Sequence, residues 1–594
     1  MTPSDFFQHW GITENPFQDE EARNDGVFSR MGRTGSAAFH ADFEKVVGDL
    51  FHPSSAVVFG EKGSGKTAIR LQLAQRVADH NQRNPEAKIL FVPYDALGIT
   101  LDVLHQRLQS PSPLESFQKM RLVDHLDGIL AAAAPGIVDA FIHDGVSGRS
   151  HPAGATTGLE TYSASRVTPD LSLGGKRPVK RLTADHRDDL QLLQAVYDRP
   201  DEASQRTAPL RARLGRGLPW PRIAWAAAAY VGWVPAVALY VFALWANQTD
   251  QAGQKNFDAI SDPHTTGPTL FAVLGLLALW LACVVKRSVF DRLGFLRLGS
   301  RIRKQVRVLS RSDASYGLSL RQLQPHVRDL AKLPLVDSDA SRYALIQGVR
   351  RLLAPFGYKG VMIVVDRVDE PTLVNGDAER MRAIVWPLLN NRFLQQEGVG
   401  VKMLLPIELR HSLYRESASF FQEARLDKQS MIDRLSWTGA MLYDLCNARL
   451  QAVRDRASAK LESATEVKGD LAYANTAGGP VGPSPEGAAA NLNRSAIEGA
   501  GAPRLATENG ALPRSVTLID LFTQDVTMQD LVDALDQMHQ PREALKFMYR
   551  CVHEHCSSVV REQNAFRIPR HVLDAVRKQE SDRVQQLYRG IRPA

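Results

Sequence analysis

A chain of 594 residues with 44% hydrophobic and 23% charged residues has the composition of a folded protein of several domains, and excludes a collagenous or wholly disordered one. Four cysteines, at 283, 446, 551 and 556, make no disulfide framework and suit a reducing compartment. The net charge of +7 admits lipid or nucleic acid as an anionic partner, so the placement of the charge matters more than its total.

The first residues, MTPSDFFQHWGITENPF, lack the basic-then-apolar layout of a signal peptide, and the N-terminal region is expected to stay unexported. A helix is expected around SAAFHADFEKVVGDLF. It is followed by a buried-type strand, SAVVF, a Gly-rich loop, GEKGSGKT at 60–67, and a helix, TAIRLQLAQRVADH. A second strand, KILFVPYD at 88–95, precedes expected helices at 100–109 and 114–134. Strand–loop–helix–strand order favours a parallel sheet covered by helices. Residues 145–182, rich in Gly, Ser, Thr and Pro, read as a loop or disordered insertion.

Two uncharged apolar runs follow, at 223–246 and 268–285. At about 1.5 Å per residue each is long enough, or nearly so, to cross roughly 30 Å of hydrocarbon. The plain alternative is a pair of buried core helices. Trp and Tyr near the ends fit lipid better, and Pro235, which would break a soluble helix interior, is tolerated in bundled membrane helices. Arg206, Arg211, Arg213, Arg216 and Arg222 precede the first run. Lys286, Arg287, Arg292, Arg297, Arg301, Arg303, Lys304 and Arg307 follow the second. The loop between them, 247–267, sets Lys255 against Asp250, Asp258 and Asp262. The positive-inside rule therefore puts both flanks in the cytoplasm, and lipid headgroups account for the basic excess more simply than DNA does.

Beyond the runs, helices at 319–332 and 340–355 lead into a strand, GVMIVVD at 360–366. A helix at 378–395, a strand, GVKMLLPI at 400–407, and a helix containing MIDRLSWTGAMLYDLCNARLQAVRDR are expected next. The tract 457–513 is rich in Ala, Gly, Pro and Ser and reads as a disordered linker. The last part of the chain reads as helical.

GEKGSGKT fits the phosphate-loop pattern through Gly60, Gly65, Lys66 and Thr67. Backbone N–H groups of Gly60, Glu61, Lys62, Gly63, Ser64 and Gly65 would close around phosphate oxygens at a helix N-terminus. Lys66 would reach the β- and γ-phosphates, and the Thr67 hydroxyl would hold Mg²⁺. VMIVVDRVDE delivers Asp366 to the sheet's C-terminal edge as the Mg²⁺ partner. Asp369 and Glu370 stand just beyond, placed to orient an attacking water, and Glu370 is preferred over Asp369 for that role. The plain reading of the strand is a buried strand with an acidic turn. Near the C-terminus, CVHEHC sets Cys551 and His555 at helical i, i+4 spacing, enough for two metal ligands. With no second ligand pair elsewhere, an amphipathic helix is the favoured reading, and Trp437 reads as a core residue.

An apolar strand followed by Asp, any residue, an apolar residue and Asp-Glu resembles the pattern of the STAND branch of P-loop NTPases, related to AAA+ ATPases. A transmembrane hairpin between the two motifs looks like the KAP family of that branch, and WGITENPF is similar to the strip that precedes the phosphate loop in some bacterial AAA+-type ATPases. Two departures stand out. Arg367 occupies a place where KAP members usually carry a second Asp, and VKMLLPIELR lacks the usual polar sensor, leaving Glu408 or Arg410 for that role. HQPREALKFMYR resembles the start of a sensor-2 helix, which would bring Arg542 to the γ-phosphate; a plain basic residue in a first helical turn fits equally.

The resemblance implies an α/β fold: a P-loop NTPase core with a parallel sheet flanked by helices, an inserted two-helix transmembrane hairpin and a C-terminal helical lid. The expected divisions are 1–144 and 340–456 for the two NTPase halves, 145–222 for an insertion and 223–285 for the hairpin. A basic linker at 286–339, the disordered tract 457–513 and a helical region at 514–594 complete them. The expected function is a membrane-tethered cytoplasmic ATPase that binds and hydrolyses Mg-ATP and acts as a nucleotide-dependent switch or assembly factor in signalling or defence, with an unidentified protein partner. It would be a multi-pass protein of the inner or plasma membrane with both termini cytoplasmic, and a nucleotide-dependent homo-oligomer stays open. A non-hydrolysing nucleotide-binding scaffold and a nucleic-acid-associated AAA+ ATPase are the alternatives. Nucleic acid is not expected, for want of a basic groove away from the bilayer. A transporter is disfavoured because two spans without intramembrane charge offer no substrate path.

Overall fold

The computed structural model describes residues 1–18, 21–31, 40–143, 169–172, 178–216, 220–249, 266–328, 333–454, 516–558 and 565–588. The tract 457–513 and most of 145–182 lie outside the described residues.

Five strands, β1 (Ala56–Gly60), β2 (Lys88–Tyr94), β3 (Tyr358–Val365), β4 (Val399–Pro406) and β5 (Ser430–Ile432), form one sheet in the order β2-β3-β4-β1-β5. Every pairing is parallel. The central strands are near-continuous apolar runs because helices cover both faces of the sheet. Alternate residues serve alternate faces. Val361, Ile363 and Val365 of β3 enter the larger core, while Met362 and Val364 join Phe43, Ile69, Leu73 and Val77 on the other face. β4 lies between β1 and β3, so the chain segments leaving those two strands emerge from the same sheet edge, one strand apart.

Several boundaries differ from expectation. MIDRL does not begin a helix: Ser430–Ile432 pairs with β1 as an edge strand, and the helix runs over 439–454. Parallel pairing with Ala56–Val58 overrides the helical reading of so short an apolar run. The helix expected around 36–51 is described only as Phe43–Val47. The expected helix at 114–134 divides into Pro113–Gln118 and Leu122–Ile142.

The insertion carries more structure than its composition suggests. Helices Ala184–Tyr197 and Ala203–Arg213 pack into the main core through Leu190, Leu193, Val196, Tyr197 and Leu210. Tyr197 donates to Asp127 Oδ1 at 2.6 Å, and Arg342 Nε donates to the same oxygen at 3.0 Å. Burial pushes the Asp127 carboxyl up to about 6, against the pull of Arg342.

A separate core joins the two ends of the chain. Phe6, Phe7, Ile12, Phe17, Val27 and Met31 pack with Leu442, Cys446, Phe547, Met548 and Val552. Trp10 Nε1 donates to the Phe566 carbonyl at 2.9 Å, and Arg449 Nε donates to the Pro16 carbonyl at 2.6 Å. Residues 1–31 thus belong by packing with the C-terminal helices rather than with the sheet.

Among the described residues, three helices are long and apolar enough to cross a membrane. Leu122–Ile142 is 72% buried over its most apolar window and serves the core; Ile223–Phe242 and Leu270–Gln305 are each 6% buried. The buried-helix alternative for the two apolar runs does not hold. The first run is broken between helices Trp220–Val231 and Val234–Thr249. Pro235 has no N–H for the Val231 carbonyl and would clash with that turn in a continuous helix; at the break it takes the second position of the new helix. The indoles of Trp280 and Trp233 donate to the Ala229 and Tyr230 carbonyls, both at 2.9 Å, and satisfy backbone freed at the break.

The second run continues from Thr266–Val285 through a π-helical turn, Lys286–Phe290, into Asp291–Gln305. Its far end is clamped. Arg107 donates to the carbonyls of Arg303 at 2.6 Å, Val306 at 2.7 Å and Leu309. Arg307 Nε donates to Asp124 Oδ1 at 2.9 Å.

Candidate functional site

β1 ends in Gly60, and the loop after it turns into helix Lys66–Arg83 through Gly65, whose φ is 94°. Gly63 has a φ of 95°, and a Cβ there would stand 2.6 Å from Gln540 Oε1. Only glycine adopts these conformations in so tight a space. The helix N-terminus has no side-chain cap, so its first N–H groups are left open toward an anion.

Lys66 folds back on its own loop, donating to the Gly60 carbonyl at 2.8 Å and the Glu61 carbonyl at 2.9 Å. Burial pulls its pKa down, opposed by Asp369 first and then by Asp366, Glu408 and Glu61. Thr67 Oγ1 lies 3.3 Å from Asp366 Oδ2. Asp366 is buried, and burial pushes its carboxyl up to about 6 against the pull of Arg70 and Lys66. Arg70 Nε stands 3.3 Å from Asp366 Oδ2, and the same guanidinium pairs with Asp95.

The acidic pair divides. Arg367 has a φ of 62°, a left-handed backbone unusual for a residue with a side chain. It pairs with Glu370, whose side chain is 46% exposed. The hydrogen bond that Arg367 donates to the Glu370 carboxylate is the main reason that the Arg367 pKa is raised. Asp369 is half-buried and exerts the largest pull of any charge on Lys66. Both line the same cavity, but Arg367 engages Glu370 and not Asp369.

The C-terminal helices close the other side. Trp437 Nε1 donates to the Ser64 carbonyl at 2.9 Å, Gln540 Nε2 donates to Glu61 Oε2 at 2.6 Å, and Arg434 pairs with Glu61 at 2.7 Å. Trp437, read as a core residue, therefore also braces the loop. Between the two bodies lies a cavity of about 280 Å³. Its walls include Ala22 and Phe28, Lys62, Gly63, Gly65, Lys66 and Thr67 of the loop, Asp366, Arg367, Asp369 and Glu370, and Trp437, Leu445, Arg542 and Leu545. Arg542 Nε and Ser64 Oγ are buried with no hydrogen-bond partner among the described residues. Asp25 pairs with Arg449 beside this cavity and accepts from the N–H groups of Val27 and Phe28, each at 2.9 Å.

Other expected residues fall outside it. Arg410 pairs with Asp433 at 3.8 Å, away from the loop, while Glu408 acts on Lys66 only through its charge. Cys551 and His555 are core residues: His555 meets the Phe6 ring edge-on, and its Nε2 bonds the Ala565 carbonyl at 2.8 Å. No group of three or more His, Cys, Asp or Glu that could hold a metal occurs among the described residues.

Arg70 and Asp95 are neighbours of Asp366 that motif reading passed over. A signal existed: KILFVPYD, like VMIVVD, is an apolar strand ending in Asp, and Arg70 is one helical turn beyond Lys66 and Thr67. Compared with known protein families, with curated proteins and with solved structures, the chain has no match in any of the three.

Proposed function

We propose that this protein binds and hydrolyses Mg-ATP at the phosphate loop, as a STAND/AAA+-like P-loop ATPase held at a membrane by the helix pair 223–285, and that it acts as a nucleotide-dependent switch. The observation that carries the reading is the meeting of Thr67 Oγ1 and Asp366 Oδ2 at 3.3 Å, beside a cavity that Lys66 and Arg542 also line.

The residues present fit the nucleotide and its ion. The glycine turn leaves room for an anion, and the unpartnered Arg542 Nε and the Lys66 ammonium offer positive charge within the same cavity. Thr67 and Asp366 supply two oxygens suited to a hard cation. Mg²⁺ is commonly held by one or two side chains together with substrate phosphates, rather than by an all-protein cage. Bound there, Mg²⁺ neutralises charge on the phosphates.

The protein's part follows from the geometry. The open N–H groups of helix Lys66–Arg83 hold phosphate, and Lys66 exchanges two carbonyl partners for phosphate oxygens. Asp369, which Arg367 leaves facing the cavity, orients the attacking water, and Arg542 balances charge from the opposite wall. Ala22, Phe28, Leu445 and Leu545 offer an apolar seat for the base. One observation favours a non-hydrolysing scaffold instead: Glu370 is engaged by Arg367 rather than by the loop.

The test is calorimetric titration of the detergent-solubilised protein with ATP and Mg²⁺, alongside phosphate release. The wild type should bind and turn over ATP, and Lys66→Ala should lose binding. ATP binding that survives Lys66→Ala undiminished, or a wild type that binds no nucleotide, would sink the reading. Binding without turnover would leave the scaffold.

A further inference from the structure

The helix that leaves the proposed membrane hairpin carries a surface the tether alone does not explain. From Leu270 it runs on to Gln305 as one helical stretch. Beyond Lys286 its inner face packs on the main core through Phe295, Leu298 and Ile302. Its outer face stays apolar. Val285, Val289, Leu293 and Leu296 are all exposed at i, i+4, i+8 and i+11, which places them in one stripe, with exposed Phe290 beside it. Lys286, Arg292 and Arg297 are exposed along the two sides of that stripe. The one acidic residue between 285 and 305, Asp291, falls on the opposite side of the helix by its spacing.

We infer that the outer part of this stripe, Leu293 and Leu296, is a second membrane contact, seated in the headgroup layer of an anionic phospholipid leaflet with Arg292 and Arg297 on lipid phosphates. The inference rests on the reading of 223–285 as a membrane hairpin. Roughly 30 Å of hydrocarbon, measured from Leu270 at about 1.5 Å per residue, ends near Phe290. Leu293 and Leu296 then stand about 4.5 Å and about 9 Å further on, from within the headgroup layer to its outer border. Lys286 Nζ lies 3.5 Å from the centre of the Trp225 ring, and the Arg287 guanidinium lies 4.7 Å from that of Tyr230. Aromatic rings and cations paired at one level are what a membrane interface collects.

Two other occupants fit less well. A contiguous row of large apolar side chains is not the scattered exposure ordinary for a water-facing helix. A second copy meeting this stripe symmetrically would set Arg292 and Arg297 against their own counterparts, and like charges so placed repel. Anionic headgroups match both the apolar row and its basic borders.

The test uses the full chain with a nitroxide at Leu293→Cys in a Cys283→Ala background. Cys446, Cys551 and Cys556 are buried and do not compete for the label. The protein is reconstituted into vesicles of phosphatidylcholine with phosphatidylglycerol, and relaxation by oxygen is compared with relaxation by a water-soluble nickel chelate. A second label at Leu274→Cys reports on the hairpin itself. The expected result is a Leu293 label reached by oxygen and shielded from the chelate, with loss of that shielding in Arg292→Gln/Arg297→Gln and in vesicles of phosphatidylcholine alone. A Leu293 label open to the chelate in both vesicles, while the Leu274 label stays lipid-buried, overturns the inference and spares the hairpin. Shielding from both relaxants regardless of lipid means that protein covers the stripe, and overturns it too. A Leu274 label open to the chelate removes the hairpin reading, and this inference with it.

Discussion

Thr67 Oγ1 and Asp366 Oδ2, 299 positions apart in the chain, lie 3.3 Å from each other at the C-terminal edge of the sheet. Strand β4 sets that spacing by pairing with both β1 and β3. Two hard oxygen ligands this close can share one small cation. Thr67→Ala is expected to raise the Mg²⁺ concentration for half-maximal ATPase by about 10–100-fold, the usual scale for a disturbed metal site. A Mg²⁺ titration of phosphate release checks this, and an unchanged midpoint removes Thr67 from the ligand set.

The engagement of Glu370, and not Asp369, by Arg367 makes opposite demands on two variants. Asp369→Asn should keep ATP affinity and lose about 10²-fold or more in turnover, the scale of a general base. Glu370→Gln should lose far less. The reverse ranking would return the role to Glu370, released from Arg367 in the nucleotide-bound state.

Lys402 stands fully buried in β4, and its Nζ has no hydrogen-bond partner among the described residues. Burial alone pulls its pKa from 10.5 to about 8, which corresponds to about 3 kcal/mol of instability at neutral pH. The sign follows from proton counts. Between pH 8 and 10.5 the folded chain sheds this proton while the unfolded chain keeps it, so wild-type stability rises through that window. Lys402→Met should therefore raise the thermal midpoint by several degrees at pH 7, with the gain shrinking above pH 8 and gone beyond 10.5. A gain that does not vary with pH would refute the account.

Arg342 and Asp127 are both fully buried. Arg342→Leu strands the Asp127 carboxyl and should destabilise by about 3–5 kcal/mol, whereas Arg342→Leu/Asp127→Leu should recover most of the loss. Chemical denaturation of both variants in detergent gives the comparison. A double variant no better than the single would show that packing, not charge, is at stake.

Removal of 223–285 should leave a soluble protein that still binds ATP. The flanking helices Ala203–Arg213 and Asp291–Gln305 are held by the core, and the approach of Lys286 to the Trp225 ring means that a short linker can close the gap. A folded product without nucleotide binding would make the hairpin part of the site.

Much of the site was legible because its chemistry is local. Gly63, Gly65, Lys66 and Thr67 act through one loop, and Asp366 ends one apolar strand, so pattern and spacing were enough. The exposed hairpin was legible for the same reason, as an uncharged run has few other uses. What escaped depends on tertiary contact. The pairing of Arg70 with Asp95, the engagement of Glu370 by Arg367, and the joining of Phe6 and Phe7 to the helix of Phe547 link segments with no shared local pattern. β5 escaped because three residues carry no periodicity; only the neighbouring strand decides their state.

The grip of Arg107 on the carbonyls of Arg303, Val306 and Leu309 has a geometric corollary. The helix it holds is 36 residues long, about 54 Å at 1.5 Å per residue. Were the proposed hairpin to span a bilayer, such a rod, fastened at its base, would leave the sheet-bearing body no freedom to swivel on its stalk. Every copy in one leaflet then carries its cleft at the same height and the same inclination. Only drift in the plane and rotation about the membrane normal remain, so neighbours meet flank to flank and never upside down. A three-dimensional search for a partner becomes a two-dimensional one, with most wrong orientations removed before any contact is made.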